Sequence, residues 1–444
     1  MNECNADVPS TDSLSVETEV LPSDGAYKWE GGRLSACYFQ ILHQDLMREN
    51  ENRLYNSRRD TSRSKFEPGA KLVSSFTRSL FLAASILLLS FGTLLMQAQS
   101  SRQRSELTFV ANQSSNDVSV YTINLNGGLL SVTGSPFAAG GSPNSVTVVP
   151  SGQFAYVADV IPGSISGFSV AKNNVVTSIS GSPFAALTGT AFVTNDPSGR
   201  FLYALNCGAN CSGSGPGNIQ AYTIDRQTGA LTPVAGSPFA AGQFPYSLAV
   251  DPTGHFAYVA NAGSGDVYSF SINSQTGALT PVGSPVAAGT RPLSVVVDPW
   301  SQYVYTANTG SSDVSAFSIN FDGSLTSVLG SPFAAGPFTA GIAASKNGKF
   351  VAVAAGSGAF VYKIDNNGAL HPVSGSPFAA GSGPNGISID PNDSFIYIVN
   401  AGSNSVSAYH FNNGNGQLVP TKGSPFPAGS FSAGITTAAS PLHE

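Results

Sequence analysis

The stretch "PYSLAVDPTGHFAYVANAGSGDVYSFSINSQTGALTPVGSPVAAG", Pro245 to Gly289, decides the fold. It holds four short runs rich in Val, Tyr, Phe, Ile and Ala, each bounded by Gly, Pro, Asn or Asp, which is the pattern of strands joined by tight turns. The runs are A (Ser247 to Asp251), B (Phe256 to Ala260), C (Val267 to Ile272) and D (Ala278 to Val282). "DPTG" from Asp251 places Asp, Pro and Gly at the first, second and fourth positions of a type I turn, which gives the Asp a structural task. The turn returns as "DPSG" at Asp196 and, without the Asp, as "VPSG" at Val149. "SQTGAL" and "RQTGAL" (Ser274, Arg226) put Gly277 and Gly229 where a tight C-to-D turn needs a positive backbone angle.

The unit repeats. Ser-Pro-Phe recurs at Ser135, Ser182, Ser237, Ser284 (with Val286 for Phe), Ser331, Ser376 and Ser424, at intervals of 47, 55, 47, 47, 45 and 48 residues. Four antiparallel strands repeated seven times predict an all-β, seven-bladed β-propeller of four-stranded blades around a central channel. The first unit, from Leu107, supplies B, C and D but no A, whereas "SAGITTAAS" at Ser432 is an A strand without a unit. The C-terminal strand therefore completes the first blade and closes the ring, leaving no unpaired edge there. In this reading "GSPFAAG" (Gly134 to Gly140) ends strand D, Phe137 plugs the seam between blades, and the small residues carry the chain inward.

The propeller occupies residues 101 to 444. Residues 1 to 70 carry dense charge and no repeat, and read as disordered or as absent from the mature protein. Residues 71 to 100 read as a signal peptide: Arg78, an apolar run from Leu80 to Met96, then Ala98-Gln99-Ser100. A retained short membrane anchor is the alternative, and export to the periplasm, cell surface or medium follows from either. Cys207 and Cys211 lie in the insertion that makes the 55-residue interval, and an exported protein would join them in a disulfide.

From Leu107 to His443 there are twelve Asp, eight Lys or Arg and no Glu. This excludes the basic stripe of a nucleic-acid binder. The B-strand ends "YVAN" (Tyr258), "YVAD" (Tyr156), "YTAN" (Tyr305), "YIVN" (Tyr397) and "FVAN" (Phe109), each followed by a C strand, resemble the YVTN-type propellers. They are equally similar to the seven-bladed propeller lactonase family, whose best-known activity is 6-phosphogluconolactonase. The resemblance spans about residues 107 to 440. It implies the propeller fold and, for the lactonases, a Pro-Arg-His motif entering an A strand and an Asn-Glu ending a B strand. Here the matching positions read "PNSV" (Pro143), "PYSL" (Pro245), "PLSV" (Pro292) and "PNGI" (Pro384), with neither His nor Glu, so no catalytic residue carries over.

Small ligands of a propeller bind where the D-to-A and B-to-C connections gather at the channel mouth, in pockets with a few convergent polar groups. The D-to-A side offers Arg291, Asn144, Tyr246 and Asn385; the B-to-C side offers Asp159, Asn261 and Asn308, with Asn112, Asn206 and Asn400. Arg291 is the basic residue among these loops and the first choice to hold a carboxylate or phosphate, although a loop Arg can equally be solvated. The Asn set has a structural alternative, bonding its own loop backbone. Asp117, Asp266 and Asp313 sit one per blade, too dispersed for a calcium site, and no metal or cofactor is called for. His255, His371 and His410 fall outside the mouth. These features point to an exported, monomeric, non-catalytic module binding a small molecule, carbohydrate or protein at its mouth. The alternative is a divergent lactone hydrolase with Arg291 on the substrate acid; the missing His and Glu favour the first, because general base catalysis needs a titratable group.

Overall fold

A computed structural model describes residues 106–208, 211, 215–356 and 358–441; the N-terminal extension, the signal segment, Cys4 and Cys37 lie outside these residues. The described chain is all β, seven antiparallel sheets each with the strand order A-B-C-D. In the quoted repeat A is Pro245–Val250, B is Phe256–Asn261, C is Asp266–Ile272 and D is Leu279–Ala287. The first blade takes its A strand from Ser432–Ala439, which runs antiparallel to Glu106–Asn112 from Glu106↔Ala439 to Asn112↔Ser432. Closure by the C-terminal strand is thus present as the sequence implies. Blades 2 to 7 follow in chain order, with A strands Gly141–Val148, Thr190–Asn195, Pro245–Val250, Pro292–Val297, Gly341–Ala344 and Pro384–Ile389.

One packing rule holds the blades to each other. Strand B opens with an aromatic residue whose ring lies under the glycine of the next blade's C-to-D turn: a Cβ on Gly229 would meet Phe154 at 2.6 Å, on Gly277 Phe201 at 2.4 Å, and on Gly323 Phe256 at 2.2 Å. Two residues on, a fully buried tyrosine donates its hydroxyl to the carbonyl of that same glycine. The pairs are Tyr156–Gly229 at 2.7 Å, Tyr203–Gly277 at 3.1 Å, Tyr258–Gly323 at 3.2 Å, Tyr305–Gly368 at 3.0 Å and, across the closing seam, Tyr397–Gly127 at 3.0 Å. Burial pushes each of these phenols up, so they stay protonated donors. Two blades depart from the rule: blade 6 sets Phe350 under Gly416 but has Ala352 in place of the tyrosine, and where blade 2 carries Asn174 (φ 61°) in its C-to-D turn, blade 1 has the smaller Leu107 at the aromatic position.

Ser-Pro-Phe does not end strand D, as the sequence alone suggests; it interrupts it. In blade 1 both Leu129–Ser131 and Phe137–Ala138 pair with strand C, Asp117–Ile123, on either side of the kink. The serine fills the gap in the ladder, Ser135 Oγ accepting the Val120 N–H at 2.8 Å, and Ser182, Ser237, Ser331, Ser376 and Ser424 do the same in their blades. Blade 4, where Val286 replaces the phenylalanine, has an uninterrupted D strand instead. Phe137 does plug a seam, its ring centroid 6.4 Å from that of Phe168 in the next blade.

The turn aspartates have the structural task assigned to them. Asp251 Oδ1 accepts the N–H groups of His255 and Phe256, both at 2.8 Å, and Asp196 does so for Arg200 and Phe201. Asp390 in blade 7 is also buried and faces Glu106, whose carboxyl is additionally bonded by the Asn392 amide. Burial, then the Asp390 charge, pushes Glu106 up to about 7, and burial pushes Asp159 up to about 6 despite bonds from Ser166 and Ser164. Both shifts are upward, so the stability they add is complete below the ordinary carboxylate range and is lost as pH rises through about 6 to 7. Melting temperature is therefore expected to be higher at pH 5 than at pH 8, and Glu106→Gln to flatten that slope; an alkaline optimum in thermal scans would contradict it.

Candidate functional site

The seven A strands enclose a central channel of about 840 Å³. Asn144, Tyr246 and Asn385 line it near the D-to-A end, as the sequence suggests. Midway down, aligned positions differ around the ring. Blades 7, 1, 2 and 3 present Ser388, Thr436, Thr147 and Thr194, whereas blades 4, 5 and 6 present Ala249, Val296 and Ala343. The two sets form contiguous arcs, so at this depth a hydroxyl wall faces an aliphatic wall; two residues nearer the mouth the aliphatic blades carry Ser247 and Ser294, whose hydroxyls accept the Val295 and Ile342 N–H groups. Thr147 Oγ1 donates to Asn195 Oδ1 at 2.7 Å, and the Ser388 and Thr437 hydroxyls are 2.8 Å apart. Thr194, Thr436, Asn385 and the Tyr246 hydroxyl have no side-chain partner among the described residues, which leaves their hydrogen-bonding capacity for channel contents.

At the mouth a residue at the head of each A strand is left-handed: Gly189, Phe244, Arg291, Gly383 and Phe431 immediately precede their strands, Ser142 is the second residue of its strand and Phe338 stands three residues before its own, with φ between 48° and 85°. The cause is local. This conformation turns the carbonyl onto the B-to-C loop, where Phe244 O accepts the Ala262 N–H at 2.9 Å, Arg291 O that of Thr309 at 3.0 Å and Phe431 O that of Gln113 at 3.0 Å. A bulky residue held so costs on the order of 1 kcal/mol or more, and such outliers concentrate at functional sites. Arg291 is exposed, and its neighbours in the ring are Phe244, buried with its ring 5.7 Å from that of Tyr246, and Phe338, 73% exposed. Nothing in the sequence marks these phenylalanines, because positive φ is ordinarily a signal for Gly or Asn.

The remaining candidates go elsewhere. Asn261 and Asn308 are fully buried and clip the loops, donating to Asp266 and Asp313 at 2.8 and 2.7 Å. Asn112 bonds Asp117 likewise, and Asn206 and Asn400 are also buried. Asp159 occupies the same position in blade 2, bonded by Ser164 and Ser166 and roofed by Gly140, where a Cβ would fall 2.5 Å from its carboxylate. Asp159, Asn261 and Asn308 are thus structural clips and do not line the channel. His255, His371 and His410 are exposed and remote from it; His371 pairs with Asp365 at 3.2 Å. Cys207 and Cys211 form the expected disulfide, with Cα atoms 5.1 Å apart.

Residues 210–422 match the family described as lactonase, 7-bladed beta-propeller. The match spans 213 of the 444 residues, and the fold that family is named for is the seven-bladed propeller seen here. No curated protein matches it in sequence. Among solved structures, this propeller is similar to the periplasmic gluconolactonase of Pseudomonas aeruginosa, with TM-score 0.62, 16% identity, and 76% of this chain and 99% of that one covered. A 6-phosphogluconolactonase candidate from Bacteroides uniformis gives TM-score 0.62 at 17% identity, covering 76% of this chain and 100% of that one. At such identities the likeness establishes the fold.

Proposed function

We propose that this propeller binds and hydrolyses a lactone of a sugar acid at its channel mouth, outside the cytoplasm. The observation that carries the reading is the lactonase match over residues 210–422, the segment that holds the channel-lining Tyr246 and Asn385 and the exposed Arg291, which heads its A strand without itself lining the channel. Arg291 would hold a carboxylate or phosphate on the substrate. The amide groups of Asn144, one N–H of which is engaged by Ala191 O at 2.8 Å, and of Asn385 would bond the lactone carbonyl oxygen. Water adds to the carbonyl carbon, the ring C–O bond breaks, and the released alkoxide takes up the proton that the water loses, giving the open hydroxy acid. The Cys207–Cys211 bridge supports an oxidising compartment.

A second reading, binding without chemistry, is favoured by one observation: no carboxylate or imidazole is among the channel-lining residues, and their one charged side chain, Lys346, lies beyond the far end of its A strand from the mouth. Proton release from a panel of sugar-acid lactones, followed at constant pH, separates the two. The lactonase reading expects saturable hydrolysis above the spontaneous rate, and Arg291→Gln to lower kcat/KM by about tenfold to a hundredfold for an acid-bearing substrate, the scale of a charge-assisted bond. Rates at background with every lactone would leave the binding reading.

A further inference from the structure

We infer that the channel takes a sugar acid extended by a further sugar ring, held with its acid at the Arg291 rim and that ring in the channel between the hydroxyl and aliphatic walls. This rests on the proposed sugar-acid site and goes on to name the length and shape of its ligand. Three observations lead to it. The walls are divided into contiguous arcs, four blades bearing hydroxyls and three bearing Ala or Val at the same depth. A sugar ring has a hydroxyl edge and an apolar C–H face, and it matches such a pair of walls, whereas a pure hydrocarbon would leave the Thr194 and Thr436 hydroxyls without partners. At the rim the exposed Arg291 heads blade 5, the middle of the three aliphatic blades, with Phe244 and Phe338 at the corresponding positions of blades 4 and 6. Finally, Ser432 at the rim is four residues before Thr436, or about 13 Å of extended strand. An acid anchored at the rim reaches the free hydroxyls with a second ring attached, while a single sugar acid stops short of them.

The inference is tested by calorimetric titration of the protein with gluconate and with cellobionate, which is gluconate bearing one glucosyl ring. Cellobionate is expected to bind at least tenfold more tightly. The isosteric double substitution Thr194→Val, Thr436→Val is expected to remove most of that gain while leaving gluconate affinity within about twofold, since each lost hydroxyl contact is worth about three- to tenfold. Equal affinities for the two acids in the unaltered protein would overturn the inference without recourse to any variant, as would a cellobionate advantage that survives the double substitution. Hydrolysis of the corresponding lactones is followed separately. A cellobionate preference with no hydrolysis supports the extended ligand and removes the catalytic reading; hydrolysis of gluconolactone with no gain from the second ring keeps the catalytic reading and overturns the extended ligand.

Discussion

Removing residues from Ser432 onward is expected to destabilise the protein by about 5 kcal/mol or more, beyond what ordinary single changes cost, or to leave it aggregated. The deleted strand pairs with Glu106–Asn112 along its whole length, and Ser432 Oγ donates to Asn112 Oδ1 at 2.8 Å. Without it the B strand of blade 1 becomes an open edge, and Phe109 and Val110, both fully buried, face solvent. Frayed tails normally contribute little, so a truncated protein that stays monomeric and melts within a degree or two of the whole would disprove ring closure.

Gly277→Ala should cost about 2 to 4 kcal/mol, combining a left-handed backbone at a residue with a Cβ and overpacking of a filled core. Its φ is 76°, and the added Cβ falls 2.4 Å from the Phe201 ring, at the same turn whose carbonyl accepts the Tyr203 hydroxyl. Gly254→Ala separates the two contributions. Gly254 has φ 74° but meets nothing nearer than Pro197 at 3.8 Å, so it should lose only the backbone share, about 1 to 2 kcal/mol. Denaturant titrations giving equal losses for the two variants would show that the Phe201 contact, and with it the aromatic-under-glycine rule, does not hold blades together.

The parts of the fold readable from sequence were those governed by local turn chemistry at a fixed period. Asp251, Gly277 and the four apolar runs each state their role within a few residues, and the missing and surplus strands at the two ends imply closure. The kink at Ser135 is not legible in sequence because its ladder gap is filled by a side chain reaching back 15 residues to Val120, which no pattern of strand propensity reveals. Site residues were less legible. Asn144, Tyr246 and Asn385 follow from their place at the head of A strands, but Asp159 and Asn261 resemble mouth residues until the small Gly140 and Gly242 are seen to fold over them. The Glu106–Asp390 carboxyl pair joins residues that only ring closure brings together.

A crystal structure of the protein grown with cellobionate tests the account most directly. Density is expected for both rings inside the channel, with the carboxylate at Arg291 and the glucosyl ring between Thr194, Thr436 and the Ala249–Val296 wall. Density bound elsewhere on the propeller, with the channel holding water alone at saturating ligand, would contradict it.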